Sequence, residues 1–368
     1  MKKYQEILDV NTIQLASISH HAIHYEALSR GLTVSILNKN NLKYSKYFLK
    51  SDRVGRVFKI SNGLNDYLFN TSKVIFDNNN YSLTKSNIKN ILKNNEFNYI
   101  NSMVFKKDSL IDFDLIEENL RKPYVVKPLN GSMGENVFCD LKSKSDVMES
   151  ISQQVDDFII EEYIDHADEY RVYVVNSKIS ALCKRIAPFV IGDGVNNIDN
   201  LVNIKNKIRA SNKLSKILAS SDIDLEKIPK LNEKVIVSNV KGRSRGADIE
   251  VVNAGLELGI VKEIERFSKL FPNCITLGFD ILVKAGQLFI LEINSRPQLS
   301  SALFPDHGEP VDIPSDILDS LFGRRSKQNI DFKEFISSYN NINKKIGIDW
   351  ESINYQYKDG KLTTYICL

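Results

Sequence analysis

Cysteine is scarce in this chain: four in 368 residues (Cys139, Cys183, Cys274 and Cys367), scattered, with no C-x-x-C pair and no histidine beside them at metal spacing. That excludes a disulfide scaffold, gives no support to a zinc site and points to a reduced, cytoplasmic compartment. An excess of either charge is lacking too. Forty-nine Lys+Arg against 46 Asp+Glu leave a formal charge of +3, too balanced for nucleic acid to be the partner through bulk electrostatics, so any basic site must be local. Long apolar runs are missing. No segment approaches the roughly 20 apolar residues that span a bilayer, and the opening MKKYQEILDVNTIQLASIS breaks every apolar run with a polar residue, which excludes the h-region of a signal peptide. There is no internal repeat and no extended low-complexity segment. What remains, 42% hydrophobic and 26% charged residues, is the composition of a globular protein with two or three cored domains.

Residues 1 to about 85 read as a small α/β unit: a helix over Ile23 to Arg30, Gly31 as its stop, and a strand Leu32 to Leu37. A second apolar run, Val74 to Phe76, ends in the turn signal Asp77 to Asn80. Ile88, Ile91 and Leu92 fit one helical face between Lys85 and Asn95. From Lys122 onward come a strand Tyr124 to Val126, the loop Asn130-Gly-Ser-Met-Gly-Glu-Asn136 leading into Val137-Phe138, a helix over Ser145 to Val155, and a strand Phe158 to Ile160 closing at Glu161-Glu162. Glu169 to Arg185 reads as a hairpin turning at Asn176-Ser177. A long helix is expected around Val251 to Leu270, then a strand pair, Ile275 to Val283 and Leu288 to Asn294, and a last helix over Ile313 to Phe322. Gly323 to Leu368 carries no readable motif.

Lys127 stands at a strand end before Pro128 and a loop holding Gly131 and Gly134. Glycines let backbone N–H groups approach an anion, and a lysine supplies a mobile charge for phosphate. The loop matches neither G-x-x-x-x-G-K-[ST] nor G-x-G-x-x-G, so a plain hairpin turn and a phosphate lid both stay open. Asp280, Glu292 and Asn294 form the strongest constellation. Residues two apart on a strand share a face, which joins Glu292 to Asn294. A three-residue loop Ala285-Gly286-Gln287 would pair Asp280 with Glu292, whereas a two-residue loop would put the two acids on opposite faces. In the first register, two carboxylates and an amide oxygen converge within apolar strands, an arrangement costly without a cation and suited to magnesium. Arg296, two residues on and fixed by Pro297, could hold a substrate carboxylate or an acyl phosphate, or pair with Glu292. The acids Glu161, Glu162 and Glu169 could read an adenine edge or a ribose diol, or simply sit in water. His20, His21 and His24 read as packing or surface residues, with substrate contact as the alternative.

In this order the blocks YVVKPLNGSMGENV, IIEEYI, DEYRVYVVNSKISALCKRIAPFVIGDGVNNIDNLV, SNVKGRSRGADIEV, LGFDILV and LEINSRP resemble the ATP-grasp superfamily, in the branch of cyanophycin synthetase and bifunctional glutathione synthetase, over about Lys85 to Phe322. The resemblance implies an ATP-grasp fold of mixed α/β and α+β class. Its segments would be a pre-ATP-grasp domain at 1–84, a small lobe with a glycine-rich lid at 85–165, a C-terminal lobe with the metal site at 166–322, and an extension of unknown role at 323–368. Lys85 and Lys127 would then touch ATP phosphates, and Gly131, Ser132, Met133 and Gly134 would form the lid. Glu161, Glu162, Tyr163 and Ile164 would border adenine, with Glu169 on the ribose. Arg171 and Lys184 or Arg185 would face phosphates or the acyl phosphate, with Arg296 a catalytic donor. Asp280, Glu292 and Asn294 would hold two magnesium ions, or manganese in their place.

The reaction so implied is ATP-dependent ligation of a small carboxylate to an amine through an acyl phosphate, in a homodimer or homotetramer that uses neither nucleic acid nor membrane. A kinase or thiol ligase, and a non-catalytic nucleotide-binding module, are the rivals. One block departs from the resemblance. The large loop, usually N-S-N-x-S-x-G-G, reads Ser238-Asn239-Val-Lys241-Gly242-Arg243-Ser244-Arg245-Gly246 here, and its added positive charge hints at an acidic or phosphorylated partner.

Overall fold

The computed structural model describes residues 5–6, 14–15, 18–37, 56–76, 83–130, 135–211, 216–220, 223–252, 256–324, 353–358 and 361–366. At its centre is the hairpin of Asp168–Val175 and Lys178–Ile186. Asn176 and Ser177 both take positive φ, 47° and 60°, the mirror-type turn whose twist matches that of the flanking strands. Three further strands complete an antiparallel sheet in the order Asp248–Val251, Lys178–Ile186, Asp168–Val175, Thr276–Lys284, Gln287–Asn294.

Strand alternation sorts this sheet into two faces. Tyr170, Val172, Val174, Leu277, Phe279, Ile281, Ile290 and Ile293 pack on one side against the helices Lys85–Asn94 and Leu258–Ser268. Thr84 starts the first of these helices, its hydroxyl accepting the Asn87 N–H, and Ile88 and Leu92 are the buried stripe. On the opposite side Tyr173, Val175, Ala181 and Cys183 join a second core with helix Ile18–Ser29 and the helices Ser300–Leu303 and Ile313–Phe322.

A four-stranded antiparallel sheet precedes it, in the order Ser102–Phe105, Phe158–Glu162, Tyr124–Pro128, Phe138–Leu141. Tyr124, Val126, Phe158 and Ile160 bury one face with Val147 and with Phe113 and Ile116 of helix Phe113–Asn119. Val147 lies in helix Lys144–Ser152, which opens on a reciprocal capping box between Ser143 and Asp146. The other face carries Lys127, Ile159 and Glu161, one strand position away.

The N-terminal unit has the expected helix, a stop at Gly31 (φ 71°) and a strand Thr33–Ile36. The latter joins in one sheet with Val57–Ser61, Asp66–Asn70 and Lys73–Ile75, the last of which overlaps the apolar run at Val74 to Phe76. This unit shares a core with helix Ile313–Phe322, and Arg30 bridges the two through Asp319 at 2.6 Å. The turn expected at Asp77 to Asn80 lies outside the described residues.

Two expectations are corrected. Val251 ends a strand rather than starting a helix, because it pairs with Cys183, and the helix begins only at Leu258. Beyond Gly323, where no motif was legible, Ile353–Lys358 and Lys361–Ile366 form a hairpin that pairs with Gln14–Leu15. Among the described residues no helix is long and apolar enough to cross a membrane.

Candidate active site

The polar residues of the central sheet form one cross-strand row. Arg171 lies opposite Asp280, and Asp280 opposite Glu292, so all three share a face. The turn is the two-residue one: Ala285 and Gly286 take φ 48° and 74°, and Lys284 pairs with Gln287. That register alone would put Leu291 opposite Asp280. A bulge intervenes, since Ile281 pairs with Ile290 but Asp280 pairs with Glu292, leaving Leu291 as the extra residue. The pairing expected from a longer turn is therefore achieved by a bulge, which re-aims the strand so that Glu292 and Asn294 face the acid.

Asp280 is buried and held by two guanidinium groups. Arg171 reaches it through both Nε (2.7 Å to Oδ1) and Nη2 (2.9 Å to Oδ2), a bidentate fork. Arg185 reaches Oδ1 at 2.7 Å through Nη2 and gives its Nη1 to Glu169 at 2.6 Å. Burial works against the Arg185 charge, but Asp280 and Glu169 outweigh it and raise the pKa above its ordinary value. Gly278 makes room for this cluster: a Cβ there would meet Pro297 Cβ at 2.6 Å and Arg171 Nη1 at 2.9 Å. Arg296, following on the same strand exit, donates through Nη1 to Asn70 Oδ1 at 2.9 Å, while its backbone N–H caps Asn294 Oδ1 at 2.8 Å.

On the first sheet Glu161 is enclosed between two lysines, Lys127 at 2.5 Å and Lys89 at 2.6 Å. Burial would push its carboxyl up, but Lys127 and Lys89 outweigh burial and hold it below the usual range. Lys85 donates to the carbonyls of Pro128 and Leu129 at 2.9 and 3.2 Å. Its pKa is lowered, first by burial and then by Lys127, against the pull of Glu292 and Glu161. Lys85 thus feels charges from both sheets. Cys139 does too: burial pushes its thiol up to about 12 against the pull of Lys127, with Glu169 of the central sheet and Glu161 of the first adding to the rise. The end of the first sheet that carries Lys127 and Glu161 therefore lies close to Glu169 and Glu292 of the central sheet, with Lys85 and Cys139 between them.

Not every expected residue joins these groups. Lys184 lies opposite Tyr170 on the reverse face, salt-bridged to Asp168 at 2.8 Å, so the structure brings in Arg185 and leaves Lys184 out. Glu162 also points away from them, tying Asn101 Nδ2 (3.0 Å) and the Arg121 N–H (3.1 Å). Tyr163 follows at the strand exit, its N–H bonded to Pro123 O at 2.8 Å and its hydroxyl pushed up to about 12 by burial and by Cys139 and Asp140. Ile164 is partly buried next to it. Gly131, Ser132, Met133 and Gly134 lie outside the described residues. His20 and His24 are buried against Phe58, the packing role rather than a place among these groups. Sequence reasoning missed Lys89, although it stands four residues after Lys85 on the same helix face.

Among the described residues no three His, Cys, Asp or Glu side chains stand close enough to hold an ion by themselves. The donor set is two carboxylates and an amide oxygen. Asp280 Oδ1 already accepts two bonds, whereas Oδ2 and Asn294 Oδ1 each accept one, and a carbonyl or carboxylate oxygen takes two. Such a set fits magnesium, which fills its shell with water and phosphate oxygens rather than with a full protein cage.

Residues 84–219 match the RimK-like ATP-grasp domain family; the row of Asp280 and Glu292 lies beyond that match. The Listeria welshimeri glutathione biosynthesis bifunctional protein GshAB is 28% identical over 281 residues, covering 64% of this chain and 36% of the relative. Cyanophycin synthetase of Synechocystis is 24% identical over 247 residues, covering 57% of this chain and 27% of the relative. The chain thus spans 36% and 27% of the length of these two relatives. The crystal structure of a bifunctional glutathione synthetase from Pasteurella multocida shares the fold at a TM-score of 0.53 and 17% identity, over 84% of this chain and 43% of that one. The domain match over residues 84–219 and the fold shared with that structure agree on an ATP-grasp fold.

Proposed function

We propose that this chain is an ATP-dependent carboxylate–amine ligase that forms an amide bond through an acyl phosphate. What supports this reading is the cross-strand row Arg171–Asp280–Glu292, with Glu292 close enough to act on the Lys85 ammonium beside Lys127. Phosphoryl transfer asks a protein mainly to position its reactants and neutralise charge. The site offers two lysines and two arginines for the triphosphate, and hard oxygen ligands beside them. In the proposed sequence a substrate carboxylate attacks the γ-phosphorus, ADP departs, and the amine then displaces phosphate from the acyl group.

Each residue has a place in that scheme. Lys127 and Lys85 hold phosphate oxygens from one sheet, and Arg171 and Arg185 turn from Asp280 toward them from the other. Asp280, Glu292 and Asn294 would hold magnesium, which supplies charge neutralisation at the phosphates when bound. Arg296, whose guanidinium donates to Asn70, would stabilise the oxyanion of the amine adduct.

The test is a screen of amino acids, dipeptides and polyamines for acid- and amine-dependent ADP release, with mass spectrometry of the product. Amine-dependent release with a mass gain equal to the condensed pair is expected, and ADP release indifferent to amine would instead indicate a kinase. Asp280→Asn and Glu292→Gln should each lower turnover by roughly a hundredfold or more, the scale of removing one electrostatic stabiliser, while circular dichroism stays unchanged. Wild-type turnover in both variants refutes the metal assignment.

A further inference from the structure

In the N-terminal unit a two-residue turn, Thr71-Ser72, joins the strands Asp66–Asn70 and Lys73–Ile75, with Asn70 paired to Lys73. Thr71 takes φ 57°. A hairpin turn with positive φ at its first central residue favours glycine, and a β-branched side chain persists there only when surrounding structure holds it. Asn70, Thr71 and Ser72 are all buried. Two of them grip one short segment at the exit of the central sheet: Asn70 Oδ1 accepts from Arg296 Nη1 at 2.9 Å, and Ser72 Oγ donates to Pro297 O at 2.6 Å. Ser19, on helix Ile18–Ser29 of the same unit, extends the grip by donating to Gln298 Oε1 at 3.0 Å and accepting the Leu299 N–H at 2.8 Å.

The gripped segment adjoins the polar row. Gly278 lies opposite Asn294, and a Cβ on Gly278 would meet both Pro297 Cβ at 2.6 Å and Arg171 Nη1 at 2.9 Å, so Pro297 and the Arg171 guanidinium border the same small space. The Arg296 N–H caps Asn294 Oδ1 at 2.8 Å, which sets the backbone of Arg296 from within this segment. Its guanidinium stands at the end of a long, many-rotamer stem, and the Asn70 contact reaches that far end from 226 positions earlier in the chain. A guanidinium only donates, so the Asn70 amide turns its oxygen to it, and the Thr71 hydroxyl reaches the same oxygen at 3.4 Å. An amide oxygen orients a guanidinium without countering its charge, which a carboxylate would do.

We propose that Asn70 is a positioning residue for Arg296: the turn Asn70 to Ser72 sets the direction from which this guanidinium meets the transferred phosphate and the oxyanion beside it. The inference rests on the ligase reading above, in which Arg296 meets the reacting group, and adds the residue that aims it. The unfavourable conformation of Thr71 is then the means by which Asn70 and Ser72 reach Arg296 and Pro297 together. The N-terminal unit, to which no sequence motif gave a part in the chemistry, acts on it through this one contact.

The experiment is isothermal titration of inorganic phosphate, the product of the proposed reaction, into the full chain loaded with magnesium and ADP, arranged as a double-mutant cycle. Arg296→Ala should weaken phosphate roughly ten- to a hundredfold, the worth of a hydrogen bond to a charged group. Asn70→Ala should weaken it roughly three- to tenfold, and the double variant should be no weaker than Arg296→Ala alone. Damage that does not act through Arg296 would instead add to the loss. Asn70→Asp, which keeps the size of the side chain and an acceptor, covers the case in which the alanine variant does not fold: it should weaken phosphate because its charge offsets the guanidinium. Additive losses, or wild-type phosphate affinity in Asn70→Ala or Asn70→Asp, overturn the inference while leaving the ligase reading intact. So does a wild-type chain that takes magnesium and ADP but no phosphate. Failure of the wild type to bind ADP brings down the ligase reading, and this inference with it.

Discussion

Glu161→Gln is the substitution whose consequence is most closely fixed by the structure. The Glu161 carboxylate is 3% exposed and holds two ammonium groups at 2.5 and 2.6 Å. Lys127 and Lys89 keep only 13% and 18% of their own side-chain surface, so neither can recover hydration by a small movement. Breaking a buried pair by removing one partner costs about 3–5 kcal/mol, because the remaining charge is left uncompensated. Here two charges are left, at a spacing where each opposes the other. Relief comes from deprotonation: each pKa unit of depression is about 1.4 kcal/mol, and the Lys89 pKa is already lowered by burial. The glutamine keeps one acceptor oxygen, which recovers part of a hydrogen bond. The net expectation is a loss of about 3 kcal/mol, near the lower end of that range. Urea denaturation followed by circular dichroism measures it, and the loss should be insensitive to added salt because the groups are shielded from counterions. ATP should stabilise the variant more than the wild type, since triphosphate oxygens supply the missing negative charge to Lys127. A loss below about 1 kcal/mol, the value of an exposed ion pair, would refute the claim that this triad is buried and mutually dependent.

Two further predictions concern the same machinery. Acid should destabilise the wild type through Glu161: its carboxyl is held below the ordinary 4.5, so its contribution is complete above that pH and disappears as pH falls through the lower folded value. Urea midpoints between pH 3 and 6 should therefore fall less steeply in Glu161→Gln than in the wild type, and parallel slopes would count against it. Gly278→Ala should cost about 1–3 kcal/mol, the usual range for overpacking, because the new methyl meets Pro297 and the Arg171 guanidinium; thermal unfolding and ATP turnover measure it, and a variant unchanged in both would contradict the close approach.

Local pattern made much of the fold legible. The Asn176-Ser177 turn, the helix capped at Thr84 and the strand Phe158–Glu162 each follow from nearby residue types. The bulge at Leu291 did not announce itself. Ala285-Gly286 alone dictates a two-residue turn that would have separated the acids, and the correction comes from the bulge at Leu291, further along the strand. Val251-Val252 looked like the start of a helix because its pairing partner, Cys183, lies far back in the chain. The same distance hid the enclosure of Glu161, whose lysines sit 34 and 72 residues before it. Alternation, by contrast, separated Arg185 from Lys184 as soon as the register of their strand was known. Long-range pairing chose which charged residues meet, and short-range pattern chose only which were available to meet.

The central claim is that a nucleotide and its divalent ion are gripped between the two sheets at the row of Asp280 and Glu292. Crystallography of the full chain with manganese and a non-hydrolysable ATP analogue tests it directly through the anomalous signal of the metal. The account predicts a peak bridging the Asp280 and Glu292 carboxylates and the analogue's phosphates, with Arg185 turned off Asp280. A nucleotide bound elsewhere, or a metal peak with neither carboxylate in its shell, would contradict it.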